Sequence, residues 1–326
     1  MKSNQLVATI AVVVLLAALF AACTGPGSPS PSPSSAAGPE KPAITLGILP
    51  IVDVATVQTA LRRGHFAAEG LTVTTEFVQG GAAAIPALVG GSLDIAYGAW
   101  PSFLNANQQG IPLVAVADGV AATPGFAQLL ALPGSGLEND PADLAGRRVA
   151  INTLANIGEL AVRATLKEAG ADPQDVVLVA IPFPDMGAAL ERGDVDAIWA
   201  VEPGVTSTRN SLGAVVVADT FTGALEGFPV AGYQATRAFA ETNPNTVAAF
   251  QRAMRAAAAE TADDAVARAS IDEYTELSAE VLAALTLPEY RRELDPAQLR
   301  RVYDYLVEFG LLAEGLDVGS LILPGP

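Results

Sequence analysis

From Ala43 onward, short apolar segments alternate with segments whose apolar residues recur at helical spacing. Residues 44–49, 71–77 and 93–97 have the length and apolar character of buried strands. Residues 54–63 and 82–89, which lie between them, have helical spacing, and Gly64 predicts the end of the first helix. Strands that alternate with helices predict a parallel sheet in an α/β fold.

The same order of elements returns between residues 148 and 199. The predicted strands are 148–152, 176–181 and 195–199, and the predicted helices are 157–169 and 186–192. Around the last strand of each series, residues 91–101 align without gaps on residues 193–203 and share a Gly, an Asp, an aromatic residue and a Pro. A chance match in an Ala- and Gly-rich chain is the alternative, but the repeated order of elements favours two similar lobes.

The last third of the chain has a different pattern. A returning strand is predicted at 228–234, followed by helices at 246–261, 263–269, 273–285 and 296–309. Asn-Pro at 243–244 and Asp-Pro at 295–296 are typical helix starts. We expect this helical segment to pack on the first lobe. A separate helical domain is the alternative, but no linker precedes it.

The N-terminus predicts export. Residues 6–22 are uncharged and mostly apolar behind Lys2, and they end in small residues, as in a secretory signal peptide. Cys23 follows directly, so this ending resembles a bacterial lipobox, in which Cys23 becomes the lipidated N-terminus; an ordinary signal peptide or an anchor helix is the alternative. Residues 24–42 are rich in Gly, Pro, Ser and Ala, a composition typical of an extended tether.

These patterns divide the chain into five segments. They are a signal peptide at 1–22, the lipidated Cys with its tether at 23–42, lobe 1 at 43–120, lobe 2 at 121–220, and a return to lobe 1 with the helical segment at 221–326. The expected location is the extracytoplasmic face of the bacterial cell membrane, held there by the lipid.

Composition excludes several classes of protein. Because 18 Lys and Arg stand against 35 Asp and Glu, the net charge is −17 and no basic stripe exists to bind nucleic acid. One Cys and one His are too few for a disulfide or for a Cys- or His-based zinc site. His65 follows a helix end and is given no role. No nucleotide fingerprint is present, so no metal, cofactor or catalytic residue is predicted.

Ligands of open α/β sheets bind beyond the carboxyl ends of the strands. The loops expected there are 50–53, 79–81, 99–102, 152–156, 182–185 and 200–203. They bring Trp100 as an apolar wall and two carboxylates, Asp53 and Glu202. The carboxylates could act as an acid–base pair, but orienting a polar ligand or capping the following helices is favoured. No Lys or Arg lies at these loop positions.

Several segments together resemble one family. They are LGILP at 46–50 with RGHFAAEGLTV at 63–73, VGGSLDIA at 89–96, DLAGRRVA at 143–150, and GDVDA at 193–197 with EP at 202–203. In this order they are similar to the SsuA/THI5-like (NMT1-like) periplasmic binding proteins of the nitrate, sulfonate and taurine type. His65 replaces the common Tyr, and Val201 replaces a frequent Trp.

The resemblance implies a type II, Venus-flytrap fold and a monomeric solute-binding subunit that delivers a small molecule to an ABC permease and its ATPase. A sulfonate, taurine, nitrate, a pyrimidine or flavin precursor, and an amine-bearing solute balanced by Asp53 or Glu202 all stay open. Alternatives are an exported enzyme on the same fold and a ligand-sensing domain. Carried onto this chain, the implied ligand contacts are Asp53, Gly80, Gly81, Ala99, Trp100, Ser102, Thr153, Asn156, Glu202 and Phe228.

Overall fold

The computed structural model describes residues 38–138 and 140–325. The predicted signal peptide, Cys23 and most of the predicted tether lie outside these residues. The end of the tether is bound to the folded part, because the Glu40 carboxylate accepts hydrogen bonds from the backbone N–H groups of Asn245 (3.1 Å) and Thr246 (2.9 Å). Within the described residues, no helix combines the length and apolarity needed to cross a membrane.

Lobe 1 is built on a six-stranded sheet. Its strands are β1 (Ala43–Ile48), β2 (Thr72–Phe77), β3 (Ile95–Ala99), β4 (Leu113–Ala121), β10 (Pro229–Thr236) and β11 (Glu289–Tyr290). The order across the sheet is β11-β4-β10-β3-β1-β2. β1 lies parallel to β2 and β3, whereas β10 runs antiparallel to β3 and β4.

Lobe 2 is built on a five-stranded sheet with a matching order. Its strands are β5 (Ala127–Ala131), β6 (Arg148–Ile151), β7 (Val177–Ala180), β8 (Ala197–Val201) and β9 (Val215–Asp219), arranged β7-β6-β8-β5-β9. In each sheet one antiparallel strand, β10 or β5, comes directly from the other lobe. The sequence analysis did not predict β4, β5 and β9, because these apolar runs stand outside the strand–helix alternation.

The chain crosses between the sheets at residues 122–126 and 220–228. The two crossings are bonded side by side, since the Ala122 N–H donates to the Phe228 carbonyl at 2.9 Å. The Phe221 ring packs between Phe126 and Phe228, with centroid distances of 6.3 and 6.5 Å. The two crossings thus lie side by side, with the aromatic cluster between them.

Helices cover both sheets. Lobe 1 carries α1 (Ala55–Arg63), α2 (His65–Ala68), α3 (Gly81–Gly90), α4 (Trp100–Gln108), α8 (Arg237–Thr242), α9 (Pro244–Thr261), α10 (Asp264–Ile271), α11 (Ala279–Ala284) and α12 (Pro296–Glu308); lobe 2 carries α5 (Ile157–Glu168), α6 (Phe183–Glu191) and α7 (Gly204–Leu212). Gly64 ends α1 in the left-handed conformation, with φ at 75°.

The C-terminal helices pack on lobe 1, which confirms this part of the predicted fold. α9 packs against α1, α2 and β4, and α12 packs against α4 and β10. The Phe66 and Phe250 rings stack at 5.6 Å across the contact between α2 and α9. The helix predicted at 273–285 is wrong in its first half. Ser278 is extended and caps α11 by accepting from the Val281 N–H, so the helix begins only at Ala279.

The aligned segments have the same structure in both lobes. The Asp94 carboxylate accepts from the Thr45 N–H of β1 at 3.0 Å, and the Asp196 carboxylate accepts from the Arg148 N–H of β6 at 2.8 Å. In both lobes the aspartate N–H also donates back to the carbonyl of that same strand residue. Each aspartate therefore fixes the strand that follows it beside the first strand of its own lobe.

Candidate functional site

A buried cavity lies between the two lobes, at the carboxyl ends of their central strands. The space inside it that a small molecule could occupy is about 30 Å³. Lobe 1 lines it with Leu49, Ile51, Asp53, Gly81, Tyr97, Ala99, Val230 and Ala231, and lobe 2 with Asn152, Asn156, Ile157, Phe183, Trp199 and Val201. The cavity thus has an apolar wall and a small polar set contributed by both lobes, the composition typical of a small-molecule site.

Two aromatic residues line the cavity from equivalent positions of the repeat. Tyr97 is the middle residue of β3 and Trp199 is the middle residue of β8. The Tyr97 hydroxyl donates to Asp53 Oδ2 at 2.6 Å, and Trp199 Nε1 donates to Thr220 Oγ1 at 3.1 Å. The polar groups of both rings are therefore bonded within the protein, so that the rings present mainly apolar surface.

Asp53 is the carboxylate that faces the cavity. It follows β1 in a single helical turn, Val52–Val54, and only 2 % of it is exposed. Oδ2 accepts from Tyr97, whereas Oδ1 has no hydrogen-bond partner. Burial raises the pKa of Asp53 to about 7, and the Tyr97 hydrogen bond offsets part of this rise. Asp53 can thus bind either as a neutral acid or as a carboxylate near neutral pH.

Asn152 and Asn156 supply the polar groups of lobe 2. Asn152 directly follows β6, and Asn156 directly precedes α5; both side chains are buried. Asn156 Nδ2 donates to Thr153 Oγ1 at 2.8 Å, but the side-chain oxygens of both asparagines lack a partner. Buried polar atoms normally find a partner, so these oxygens mark a place where a bound molecule would complete the structure.

Glu202 corresponds to Trp100 in the alignment of the two repeated segments. It does not line the cavity. Its carboxylate accepts from the Thr206 N–H (3.0 Å), the Thr206 hydroxyl (2.7 Å) and the Thr286 N–H (3.2 Å). Burial raises its pKa, and these hydrogen bonds oppose the rise. Glu202 therefore binds the start of α7 to the C-terminal segment. It does not pair with Asp53 for acid–base chemistry, because the two carboxylates do not share the cavity.

The two predicted glycines lie where backbones approach closely. A Cβ on Gly81 would stand 2.8 Å from Gly98 Cα and 2.7 Å from Ser102 Oγ. A Cβ on Gly80 would stand 3.1 Å from the Asn152 amide nitrogen of the other lobe. Ser102 is turned inward, since its hydroxyl donates to the Ala99 carbonyl at 2.9 Å. The glycines thus allow α3 to start beside β3 and lobe 2 to close over it.

Trp100 and Phe228 do not line the cavity, contrary to the sequence-based expectation. The Trp100 ring fills the space above Gly232, where an added Cβ would lie 2.2 Å from it. Phe228 belongs to the aromatic cluster at the crossings and also packs on Tyr305 at 5.5 Å. Both side chains are held by hydrophobic burial in the core, so neither is available to a ligand.

Ten lining residues were absent from the predicted set, and those among them with polar or aromatic side chains are Tyr97, Asn152, Phe183 and Trp199. The aligned segments carried the signal for Tyr97 and Trp199, because the shared aromatic position faces the cavity in both lobes. Asn152 lay within a predicted cleft loop. His65 Nε2 lies 2.9 Å from Glu260 Oε1. Neither of these two residues lines the cavity.

A family model described as NMT1/THI5 like matches residues 52–266, which is more than half of the chain. The chain belongs to the NMT1/THI5-like family. This match includes most of the cavity lining, and it confirms the family resemblance of the sequence motifs. No curated protein sequence matches the chain.

Solved structures show the fold of this family member. The alkanesulfonate-binding protein SsuA from Xanthomonas axonopodis pv. citri, bound to MOPS, has a TM-score of 0.74 at 19 % identity, over 88 % of this chain and 99 % of that chain. The periplasmic nitrate-binding protein NrtA from Synechocystis PCC 6803 has a TM-score of 0.75 at 15 % identity, over 88 % and 87 %. A zinc-bound ligand-binding component of an ABC-type import system from Staphylococcus aureus has a TM-score of 0.77 at 14 % identity, over 86 % and 96 %. The chain therefore has the two-lobed type II periplasmic-binding-protein fold.

Proposed function

We propose that this protein is the extracytoplasmic solute-binding subunit of an ABC importer. The observation that carries this proposal is the buried cavity between the lobes, in which three nearly fully buried polar side chains have oxygens without partners. Structures of the same fold are named as binding proteins for alkanesulfonate and nitrate and as a component of an ABC-type import system. A small molecule that fills the cavity would contact both lobes at once.

Other contacts join the two lobes outside the cavity lining. The Val52 N–H of lobe 1 donates to the Glu202 carbonyl of lobe 2 at 3.2 Å, and the Lys167 ammonium forms an ion pair with Glu308. A ligand that touches both lobes favours this closed arrangement only by the difference between its affinities for the closed and open forms. Hinge motion at the two crossings would then present the closed form to the permease.

Capture is favoured over catalysis by the chemistry of the lining. Among the described residues that form the cavity wall, there is no Ser, Cys, Lys or His to serve as a nucleophile or as its base. Asp53 and Tyr97 are the titratable groups, and they are bonded to each other. Asp53 could act as an acid or a base, but the described lining offers it no Ser, Cys, Lys or His nucleophile to activate.

We also propose attachment to the membrane through a lipid on Cys23, with a permease and an ATPase as partners and the protein itself a monomer. The signal-like residues 6–22 directly before Cys23 support the lipid. In cells fed labelled palmitate, the protein should carry label at the extracytoplasmic membrane face. Cys23→Ser should abolish both label and membrane retention, and label that persists in this variant would contradict the proposal.

Capture is tested by a thermal-shift screen of the purified protein, after mass spectrometry has shown it to be free of bound solute. The panel contains alkanesulfonates, taurine, nitrate, aminopyrimidines and amines. A ligand at 100 times its Kd adds roughly 2.7 kcal/mol to the free energy of unfolding, so a true ligand gives a clear shift. Protein that is folded by circular dichroism and shifts with no class of solute would contradict the proposed function.

A further inference from the structure

The buried polar atoms of the inter-lobe cavity that lack a hydrogen-bond partner are of one kind. They are Asp53 Oδ1, Asn152 Oδ1 and Asn156 Oδ1, which are all hydrogen-bond acceptors. The three residues are 2 %, 6 % and 2 % exposed, so water reaches them poorly. Leaving a buried acceptor without a donor costs about 1–3 kcal/mol, more for a charged group. A bound solute recovers this energy only if it brings donors.

Three side-chain donors at the cavity are already used, whereas the Asn152 amide forms no hydrogen bond within the described residues. The Tyr97 hydroxyl donates to Asp53, the Trp199 indole to Thr220, and the Asn156 amide to Thr153. Among the residues described as lining the cavity, none is Lys, Arg or His. A solute that consists mainly of acceptors, such as a sulfonate or nitrate, would therefore meet few side-chain partners here.

Helix N-termini often bind anions, and lobe 2 fills one of its own, the start of α7, with a carboxylate. Glu202 accepts from the first turn of α7, and Glu159 accepts from the Ala155 N–H just before α5 at 2.9 Å. Glu159 is in turn paired with Arg163 at 2.7 Å. The start of α3 at Gly81 opens on the cavity without an acidic residue in its first turn. The starts of α3 and α5 thus both keep backbone donors at the cavity, and what favours a cationic solute is Asp53, the one charged side chain among the described residues that line it.

We propose that the captured solute carries a cationic amino or amidinium group that donates hydrogen bonds to Asp53, Asn152 and Asn156. The apolar part of the solute packs against Trp199 and Phe183, whose rings lie 6.0 Å apart. This inference rests on the proposed capture of a solute and adds its chemical class. It differs from the anions in the names of the similar structures.

The charge of the solute is tested by calorimetric titration of the full-length protein at pH 8 with probes of equal shape. Acetamidinium and benzamidinium are compared with acetate and benzoate, and ethanesulfonate is added as a sulfonate. The amidinium ions should bind, and the three anions should not. Asp53→Asn should weaken amidinium binding by at least about tenfold, the size expected for a charged hydrogen bond. A second variant, Asn156→Leu, should also weaken amidinium binding.

Asp118→Asn is the matched control. Burial also raises the pKa of Asp118 to about 7, but this aspartate lies beside Arg291 in a different cavity of lobe 1. It should leave amidinium binding unchanged. Tighter binding of any anion than of the amidinium ions would overturn the inference and leave solute capture intact. Binding of none of the five probes to folded protein would also overturn it, and the thermal-shift screen then decides separately on capture.

Discussion

The two lobes present the same repeat positions to the cavity but different chemistry. Tyr97 and Ala99 of lobe 1 correspond to Trp199 and Val201 of lobe 2, and all four line the cavity. At the next position of the repeat, Trp100 is buried in the core, whereas Glu202 binds the start of α7. The scaffold is thus repeated, but the polar groups are not. The carboxylate that faces the cavity comes from lobe 1, and the neutral amides come from lobe 2.

The largest expected effect is on the carboxylate of lobe 1. Asp53 has a pKa of about 7 in the folded protein against 3.8 as a free group, so the unfolded chain releases the proton first. The free energy of unfolding therefore falls as the pH rises from about 4 to about 7 and stays lower above that. Asp53→Asn removes this loss, so above about pH 7 the variant should be more stable than the wild type by up to about 4 kcal/mol. This size follows because one pKa unit corresponds to about 1.4 kcal/mol. Urea unfolding at several pH values measures it. A difference between variant and wild type that does not change with pH would contradict the assignment.

The second effect comes from exchanging the residues at one pair of equivalent positions in the two lobes. Gly98 of β3 corresponds to Ala200 of β8, and a Cβ on Gly98 would lie 2.3 Å from Gln234 Nε2 and 2.8 Å from Gly81 Cα. Gly98→Ala should therefore reduce stability by about 3 kcal/mol through overpacking. The reverse exchange, Ala200→Gly, removes one buried methyl group and should cost about 1 kcal/mol. Equal losses in urea unfolding would show that the two lobes pack alike at this position.

The third effect concerns the carboxylate of lobe 2. Glu202 accepts three hydrogen bonds, and Gln in its place would turn an NH₂ group toward at least one of the donors. Glu202→Gln should thus lower stability by about 2 kcal/mol at pH 8. This is opposite in sign to Asp53→Asn at the same pH. Unfolding measurements on both variants check the contrast, and a stabilised Glu202→Gln would show that Glu202 is not a capping group.

The smallest effect tests the repeated aspartates. Asp196 is bonded to the Arg148 side chain, which lowers its pKa, whereas Asp94 accepts from Lys41 Nζ at 2.6 Å. The contribution of Asp196 is present above the unfolded pKa and is lost as the pH falls through its folded pKa. Because the pair is partly exposed, Asp196→Asn should cost only about 0.5 kcal/mol at pH 7. A loss above about 2 kcal/mol would show a larger structural role.

Periodicity predicted the parallel strands and their helices, since that signal is local to each element. It did not predict β5, because no α-helix lies between β4 and β5 or between β5 and β6, so the strand–helix alternation is interrupted there. In the site, Asp53, Gly81, Ala99 and Asn156 lie in the predicted place. Trp100 does not, because strand alternation turns residues 97 and 99 toward the cavity and α4 begins at 100. Whether a loop residue beyond the strand reaches the cavity depends on how the two lobes pack against each other. The local sequence pattern carries no information about that packing.

The central claim is that a solute closes the two lobes over the cavity. It is tested most directly by energy transfer between labels on Val89→Cys of lobe 1 and Val177→Cys of lobe 2, two exposed positions, with Cys23→Ser removing the natural cysteine. On titration with benzamidinium, the distribution of label distances should narrow to one shorter value, and Asp53→Asn should shift this change to at least about tenfold higher concentration. Calorimetric binding of benzamidinium with an unchanged distance distribution would contradict the account.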